Sequence, residues 1–105
     1  MNLEKTFGET VKKLRENKQL PLREVAKALN IDTSMLGKIE KNSRKPTKQL
    51  IEKIAKFFNV NDKELMIAFL SDTVAFKVMD EEDFAIEVLK VAEKKVKYLK
   101  TQKTS

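Results

Sequence analysis

The sequence lacks cysteine, histidine and tryptophan, and it contains only two glycines and two prolines among 105 residues. Without cysteine and histidine the chain can have no disulfides, no thiolate or imidazole metal ligands, no thiol nucleophile and no imidazole base. Any chemistry would depend on carboxylates, lysines and hydroxyls. We therefore predict that the protein is not an enzyme and that it uses no metal or cofactor.

Hydrophobic runs are also short. No segment approaches the roughly 18 consecutive apolar residues of a membrane span. Residues 1–8 mix polar and apolar side chains and lack the apolar segment of a secretory signal. We expect a cytoplasmic protein with one hydrophobic core.

Charge, by contrast, is plentiful and uneven. The chain has 22 Lys and Arg residues against 16 Asp and Glu residues, which gives a net charge of +6. Residues 1–60 hold 14 basic and 7 acidic side chains, whereas residues 61–105 hold 8 and 9. We expect an acidic partner such as nucleic acid at the first half and a protein interface in the second.

Apolar residues recur at helical spacing along most of the chain, which predicts an all-α protein. The predicted helices of the first part are Thr6–Lys18, Pro21–Asn30, Thr33–Lys41, a fourth after the cap residue Thr47, and a fifth after a capping box of Asn61 and Glu64. Asn30 suits a left-handed turn between the second and third helices, and Asp32 is a candidate N-cap for the third. The charged segment 41–46 predicts a loop.

The second part of the sequence, residues 71–105, is less regular. A brief alternation of apolar residues makes residues 71–79 compatible with either a short strand or a helix. A last helix is predicted over residues 80–100, followed by a disordered tail at residues 101–105. The acidic run Asp80–Asp83 is explained better by interaction with a helix dipole than by a metal site.

Two short helices joined by a turn of three to four residues have the geometry of a helix-turn-helix, whose second helix enters the major groove of DNA. The segment Leu22–Glu40 has this pattern. Around it, the chain resembles the Cro/repressor-like (xenobiotic-response-element, XRE) family of helix-turn-helix transcriptional regulators over about residues 7–66. The motifs that carry the resemblance are FGETVKKLRENK, EVAKAL, IDTSMLGKIEKNSRKPT and IEKIAKFFNVNDKEL. The resemblance implies a five-helix, lambda-repressor-like DNA-binding domain over residues 1–70, with Thr33–Lys41 as the recognition helix.

The resemblance also implies base contacts by Thr33, Ser34 and Lys38. Hydroxyls discriminate weakly between bases and phosphates, whereas a lysine commonly binds guanine O6 and N7, so Lys38 is the best candidate for base readout. Met35 is compatible with contact to a thymine methyl or with packing inside the domain. Gly37 costs ~1 kcal/mol relative to alanine in a helix, which either close approach to DNA or a tolerant exposed face would explain.

Phosphate contacts are implied for the second helix, for the loop after the recognition helix and for the start of the fourth helix. The candidates are Arg23, Lys27, Lys41, Asn42, Ser43, Arg44, Lys45 and Lys48. Pro21 and Leu22 stand where family members commonly have a hydroxyl cap and a glutamine that reaches DNA, so a cation of the second helix must supply that contact. The resemblance further implies a structural ion pair between Arg15 and Glu40, which holds the recognition helix at its angle.

The predicted last helix carries apolar residues in a heptad pattern, which is typical of helix pairing. The candidate dimerisation residues are Ala85, Val88, Leu89, Ala92, Val96 and Leu99. Two heptads are too short for an independent coiled coil, so pairing would need help from Phe69, Leu70 and Phe76. The alternative is a helix that folds back on its own domain.

Together these features predict a sequence-specific double-stranded DNA-binding regulator, a repressor or autoregulator that acts as a homodimer on a palindromic operator. One alternative is an antitoxin-like or other partner-binding protein, whose C-terminal segment engages a second protein. Another is the controller of a restriction-modification operon. A membrane-surface helix is excluded because the last helix mixes lysines with acids and has no tryptophan.

Overall fold

The computed structural model describes residues 1 and 3–103, and this part of the chain is helical and contains no strand. The elements are α1 (Phe7–Asn17), α2 (Leu22–Leu29), α3 (Thr33–Glu40), α4 (Lys48–Phe58), α5 (Asp62–Val78), a 3₁₀ segment (Met79–Phe84) and α6 (Ala85–Lys103). The predicted all-α fold class is thus confirmed. Among the described residues, every helix is too short or too polar to span a bilayer.

Side-chain caps fix where the helices begin. Thr6 and Glu9 form a capping box at α1: the Thr6 hydroxyl accepts from Glu9 N at 3.2 Å, and the Glu9 carboxylate accepts from Thr6 N at 3.2 Å. The hydrogen bond from the Thr6 hydroxyl lowers the pKa of Glu9 below its ordinary value. Thr47 caps α4 by accepting from Leu50 N at 3.1 Å, and Asn61 caps α5 through its side-chain oxygen. Both of these caps were predicted from the sequence.

Asparagine adopts the left-handed backbone conformation, which glycine often supplies, at three turns. Asn30 ends α2 with φ 58°, Asn59 ends α4 with φ 54°, and Asn42 follows α3 with φ 63°. Asparagine visits this left-handed region more readily than most side chains. The chain therefore makes tight turns with only two glycines, and the turn predicted at Asn30 is confirmed.

The hydrophobic core lies among α1 to α5. Its buried apolar residues are Phe7, Val11, Val25, Ala26, Leu29, Leu36, Ile39, Leu50, Ile51, Ile54, Ala55, Phe58, Leu65 and Ala68. Met35 is partly buried and packs against this core, as one of its two interpretations from the sequence predicted. Phe69 also packs there, with its ring edge-to-face on Phe7 at 5.5 Å. Phe69 is therefore partly buried against the core, which leaves less of its surface for dimerisation.

The chain divides into two compact units, Met1–Asp72 and a second that begins at Thr73. The boundary predicted from the sequence follows residue 70. Residues 71–78, which the sequence left open between strand and helix, are the end of α5.

The last helix begins and ends later than predicted. Residues 79–84 form the 3₁₀ segment instead, and Glu81 leaves the helical region with φ −130° and ψ 63°. Adjacent carboxylates repel one another and aspartate is a poor helix former, so the acidic run disfavours a continuous helix. At the other end, Lys100 and Lys103 favour the helix C-terminus. The predicted disorder is therefore wrong for residues 101–103, and residues 104–105 lie outside the described residues.

Candidate nucleic-acid interface

A turn of three residues, Asn30–Asp32, joins α2 to α3. The Ile31 amide donates to the Ala26 carbonyl at 3.0 Å, and the left-handed Asn30 reverses the chain direction at the end of α2. Asp32 takes the N-cap position of α3, as predicted, although within the described chain its side chain makes no cap hydrogen bond. The local geometry is helix, tight turn, helix.

One face of α3 is buried and the other is exposed. The buried residues are Leu36, Ile39 and Glu40. The three predicted base-contacting residues, Thr33, Ser34 and Lys38, are all exposed. Helical spacing places these three on one face, with Gly37 among them. This exposed face of α3 has the residue types that read base edges.

Gly37 is not required by the packing of the described chain. A Cβ added there would lie 3.4 Å from Leu22 Cδ2, which is an ordinary van der Waals contact. Leu22 itself is half-buried and packs against the core. The side chain at the position of the family's DNA-contacting glutamine therefore turns inward and lies near α3.

Arg15 and Glu40 join α1 to the end of α3. Arg15 Nε donates to Glu40 Oε2 at 2.8 Å, and Nη2 donates to Oε1 at 3.0 Å. A third donor of the guanidinium, Nη1, reaches the Leu20 carbonyl at 2.9 Å. The hydrogen bonds to Glu40 raise the pKa of Arg15 above its ordinary value. The predicted pair is thus formed with both side chains largely buried.

A second link between α1 and α3 was not predicted. Gly8 N donates to Asn42 Oδ1 at 2.9 Å, and Asn42 Nδ2 donates to Thr6 Oγ1 at 2.9 Å. A Cβ on Gly8 would lie 2.5 Å from the Glu40 carbonyl oxygen and 2.6 Å from the Ile39 carbonyl oxygen, closer than real Cβ contacts. Glycine is therefore required at this position, because the first turn of α1 packs directly on the backbone at the end of α3.

The backbone N–H groups of the first turn of α1 donate to side chains from three parts of the chain: Thr6, Asn42 and Asp72. Phe7 N donates to Asp72 Oδ2 at 2.6 Å, next to the amide of Gly8 that Asn42 binds. A negative carboxylate at a helix N-terminus is electrostatically favourable. Asp72 is 65 residues away in sequence, so no local sequence pattern predicts this contact. The Thr6–Glu9 capping box, by contrast, is a local pattern that indicates where α1 begins.

The loop after α3 splits the predicted phosphate contacts into two groups. Asn42 uses its amide as described above, and Ser43 Oγ donates to the Lys38 carbonyl at 3.2 Å. Each of these two side chains thus has a partner within the chain, and the assignment of Asn42 and Ser43 to phosphate contacts stays a prediction. The cations Lys41, Arg44, Lys45 and Lys48 are exposed, and no ion pair among residues 1 and 3–103 uses them.

The remaining predicted site residues are also placed. Arg23 and Lys27 on α2 are exposed. Of the dimerisation candidates, Ala85 is buried and Leu89 and Ala92 are half-buried, whereas the exposed candidates are Val88 (40%), Val96 (53%) and Leu99 (59%). Ala85 is already covered within the chain and can add little to an interface.

Comparison with known protein families agrees with this geometry. A family model described as helix-turn-helix matches residues 11–65, slightly more than half of the chain. No curated protein and no solved structure matches the chain at a significant level. The match begins inside α1 and ends inside α5, so it covers α2, the turn, α3, the loop of residues 41–47 and α4.

Proposed function

The chain belongs to the XRE-type helix-turn-helix family of DNA-binding regulators, and from this premise we propose that it is a sequence-specific repressor or autoregulator that binds double-stranded DNA as a homodimer. The observation that carries the proposal is the face of α3 formed by the exposed residues Thr33, Ser34 and Lys38, with the half-buried Gly37 among them. In the major groove, Lys38 would bind guanine O6 and N7. Two copies of α3 would read two half-sites of a palindrome ~34 Å apart.

The exposed cations beside α3 would position it on the DNA backbone. The set is Arg23, Lys27, Lys41, Arg44, Lys45 and Lys48. Thr47 caps α4 through Leu50 N, and no hydrogen bond from Lys48 N or Gln49 N occurs in the described chain. These two amides at a helix start can serve a phosphate oxygen.

Gly37 lies among the proposed base-contacting residues of α3. The described chain accommodates a Cβ at this position, so its packing does not require glycine. In the proposed complex, a residue without a side chain would let the backbone of α3 come closer to base edges. Close approach to DNA and a tolerant face both stay predictions, and Gly37→Ala distinguishes them.

The protein would regulate by occupying a promoter, with no chemical step. The decisive experiment is selection of bound sequences from random double-stranded DNA at one fixed salt concentration. We expect an enriched palindrome with half-sites about one helical turn apart. Recovery of random sequences at all cycles would contradict sequence-specific binding, and an enriched single half-site would contradict the homodimer.

A second candidate function is supported by the apolar residues exposed on α6, which could instead cover a partner protein in the antitoxin-like manner. Val91, Val96 and Leu99 each keep more than half of their surface exposed. Light scattering on the pure protein separates the candidates. A defined dimer supports the repressor, whereas a monomer or an aggregate that a co-expressed neighbouring gene product rescues supports the partner-binding protein.

A further inference from the structure

α6 has an apolar groove that no described residue fills. The groove is lined by Phe84, Glu87, Val88, Val91, Ala92 and Lys95. Its larger apolar residues are exposed: Phe84 by 48%, Val88 by 40% and Val91 by 51%. Ala85 and Leu89, by contrast, are already buried or half-buried. The face left for a partner is therefore rotated around the helix from the predicted heptad seam, toward Val88 and Val91.

Charge along this segment is separated by sign. Residues 80–87 contain five acidic side chains and no basic one, whereas residues 88–103 contain six lysines and one glutamate. Two exposed ion pairs, Lys77–Asp80 at 3.8 Å and Lys97–Glu93 at 3.2 Å, neutralise only a small part of this charge. The segment thus begins strongly negative and ends strongly positive.

Such a segment is complementary to a reversed copy of itself. In an antiparallel pair the acidic beginning of each copy lies beside the basic end of the other, while a parallel pair places like charges together. Self-complementarity is what a two-fold symmetric interface requires. A second copy of this chain therefore fits the groove better than a partner of a single sign of charge.

The groove also suggests a register. Glu87 and Lys95 line it four residues before and four residues after Val91. A two-fold axis at Val91 would bring Glu87 of each copy opposite Lys95 of the other, with the two Val91 side chains in contact.

We propose that α6 pairs with α6 of a second copy in an antiparallel arrangement whose two-fold axis passes near Val91. This inference rests on the homodimer in the proposed function and adds its orientation and register. Glu87 and Lys95 set the orientation, and the exposed apolar residues of the groove supply the contact.

Cysteine cross-linking tests the arrangement directly, because the natural chain has no cysteine. Val91→Cys places a thiol on the proposed axis, where two copies meet and a disulfide can form. Tyr98→Cys is the matched control: it is 62% exposed and seven residues from the axis, so its two copies would be about 21 Å apart. We expect oxidised Val91→Cys to run as a dimer, Tyr98→Cys to remain uncross-linked, and a mixture of Phe84→Cys with Tyr98→Cys to cross-link.

Each other outcome overturns the inference in a distinguishable way. Self-cross-linking of both Val91→Cys and Tyr98→Cys, which lie one heptad apart, would indicate a parallel pair and leave the homodimer standing. Self-cross-linking of Tyr98→Cys alone would place the two-fold axis near Tyr98 instead of Val91. A dimer by light scattering in which neither variant cross-links would place the interface elsewhere. A monomer would remove both the inference and the homodimer, while DNA binding is judged independently by the selection from random sequences.

Charge reversal tests the register without a covalent bond. Glu87→Lys should raise the dimer dissociation constant by roughly 2- to 20-fold, because it disrupts two symmetry-related pairs, and adding Lys95→Glu should restore it. Lys95→Glu alone should weaken the dimer as Glu87→Lys does. Lys90→Glu makes the same charge change as Lys95→Glu but lies outside the groove, so it is the control. Equal weakening by Lys90→Glu and Lys95→Glu, or failure of the double variant to recover, would contradict the pairing.

Discussion

The exposed polar residues near α3 fall into two groups: some hydrogen-bond within the chain, and others have no partner among the described residues. Asn42 and Ser43 have polar types suited to phosphate binding, but their side chains bind Thr6, Gly8 and the backbone at Lys38. Among the described residues, the side chains of Lys41, Arg44 and Lys45 make no such hydrogen bond or ion pair. Exposure alone therefore does not separate the candidate phosphate contacts, whereas their side-chain partners within the described chain divide them into two groups.

Lys38 and Lys45 should respond differently to removal. Lys38→Ala should reduce discrimination at one base pair of each half-site, at a cost of about 1–3 kcal/mol, because a base contact carries sequence information. Lys45→Ala should weaken binding to all sequences, because a phosphate contact carries none. Affinities for the selected operator and for random DNA at the same salt measure both effects. An equal loss on the two DNAs for Lys38→Ala would contradict its assignment to base readout.

The two glycines form a matched pair, Gly8 and Gly37. Gly8→Ala should reduce the free energy of unfolding by about 1–3 kcal/mol, because its Cβ would overlap the backbone at the end of α3. Gly37→Ala should raise it by up to ~1 kcal/mol, because alanine is the better helix former. Gly37→Ala should nevertheless weaken operator binding.

Urea unfolding and operator titration on both variants separate stability from recognition. A Gly37→Ala protein that is stabilised and binds the operator as well as the natural chain does would show that the groove does not need this glycine. A Gly8→Ala protein of unchanged stability would contradict the close packing of α1 on α3.

At the scale of whole elements, α3 is held at its end by two links to α1. One is the Arg15–Glu40 pair and the other is the hydrogen bond from Gly8 N to Asn42. Both act on the last residue of α3 or just beyond it. The helix proposed to read DNA, α3, is therefore fixed at its C-terminal end, where the loop of residues 41–47 begins.

Loss of the charge on Glu40 should loosen this end. Glu40→Gln keeps the shape but leaves the largely buried Arg15 guanidinium without its counter-charge, so the free energy of unfolding should fall by about 1–3 kcal/mol. Glu52→Gln, on the exposed surface of α4, makes the same chemical change as a control. Urea-induced unfolding of the two variants measures the difference. Equal stability of both would show that the pair contributes nothing net.

The sequence predicted α1 to α5 because each buries an apolar stripe and several begin at a side-chain cap. Val25, Ala26 and Leu29, for example, were predicted inward and are buried. Residues 71–79 were ambiguous because Val74 and Phe76 are about half exposed, so their spacing reports no buried face. The hydrogen bond from Phe7 N to Asp72 could not be predicted, because the two residues are distant in sequence. Local patterns predict elements, whereas the contacts that join them need the fold.

At the scale of the molecule, charge and apolar surface serve separate ends of the chain. Residues 1–60 carry a net charge of +7, and residues 61–105 carry −1. The second part instead exposes large apolar side chains, among them Phe76, Met79 and Leu99. This distribution is what the proposed division of DNA binding and self-association between the two parts requires.

The salt dependence of DNA binding tests which charges act. If the six proposed cations, Arg23, Lys27, Lys41, Arg44, Lys45 and Lys48, contact phosphates in both protomers, the plot of log affinity against log salt should have a slope of about −11. Lys45→Gln should reduce its magnitude by roughly 2, because two contacts are lost per dimer. Lys94→Gln removes an equal charge on exposed α6 and should leave the slope unchanged. If both substitutions reduced the slope equally, the lysines would act through net charge and not through contacts of the loop with DNA.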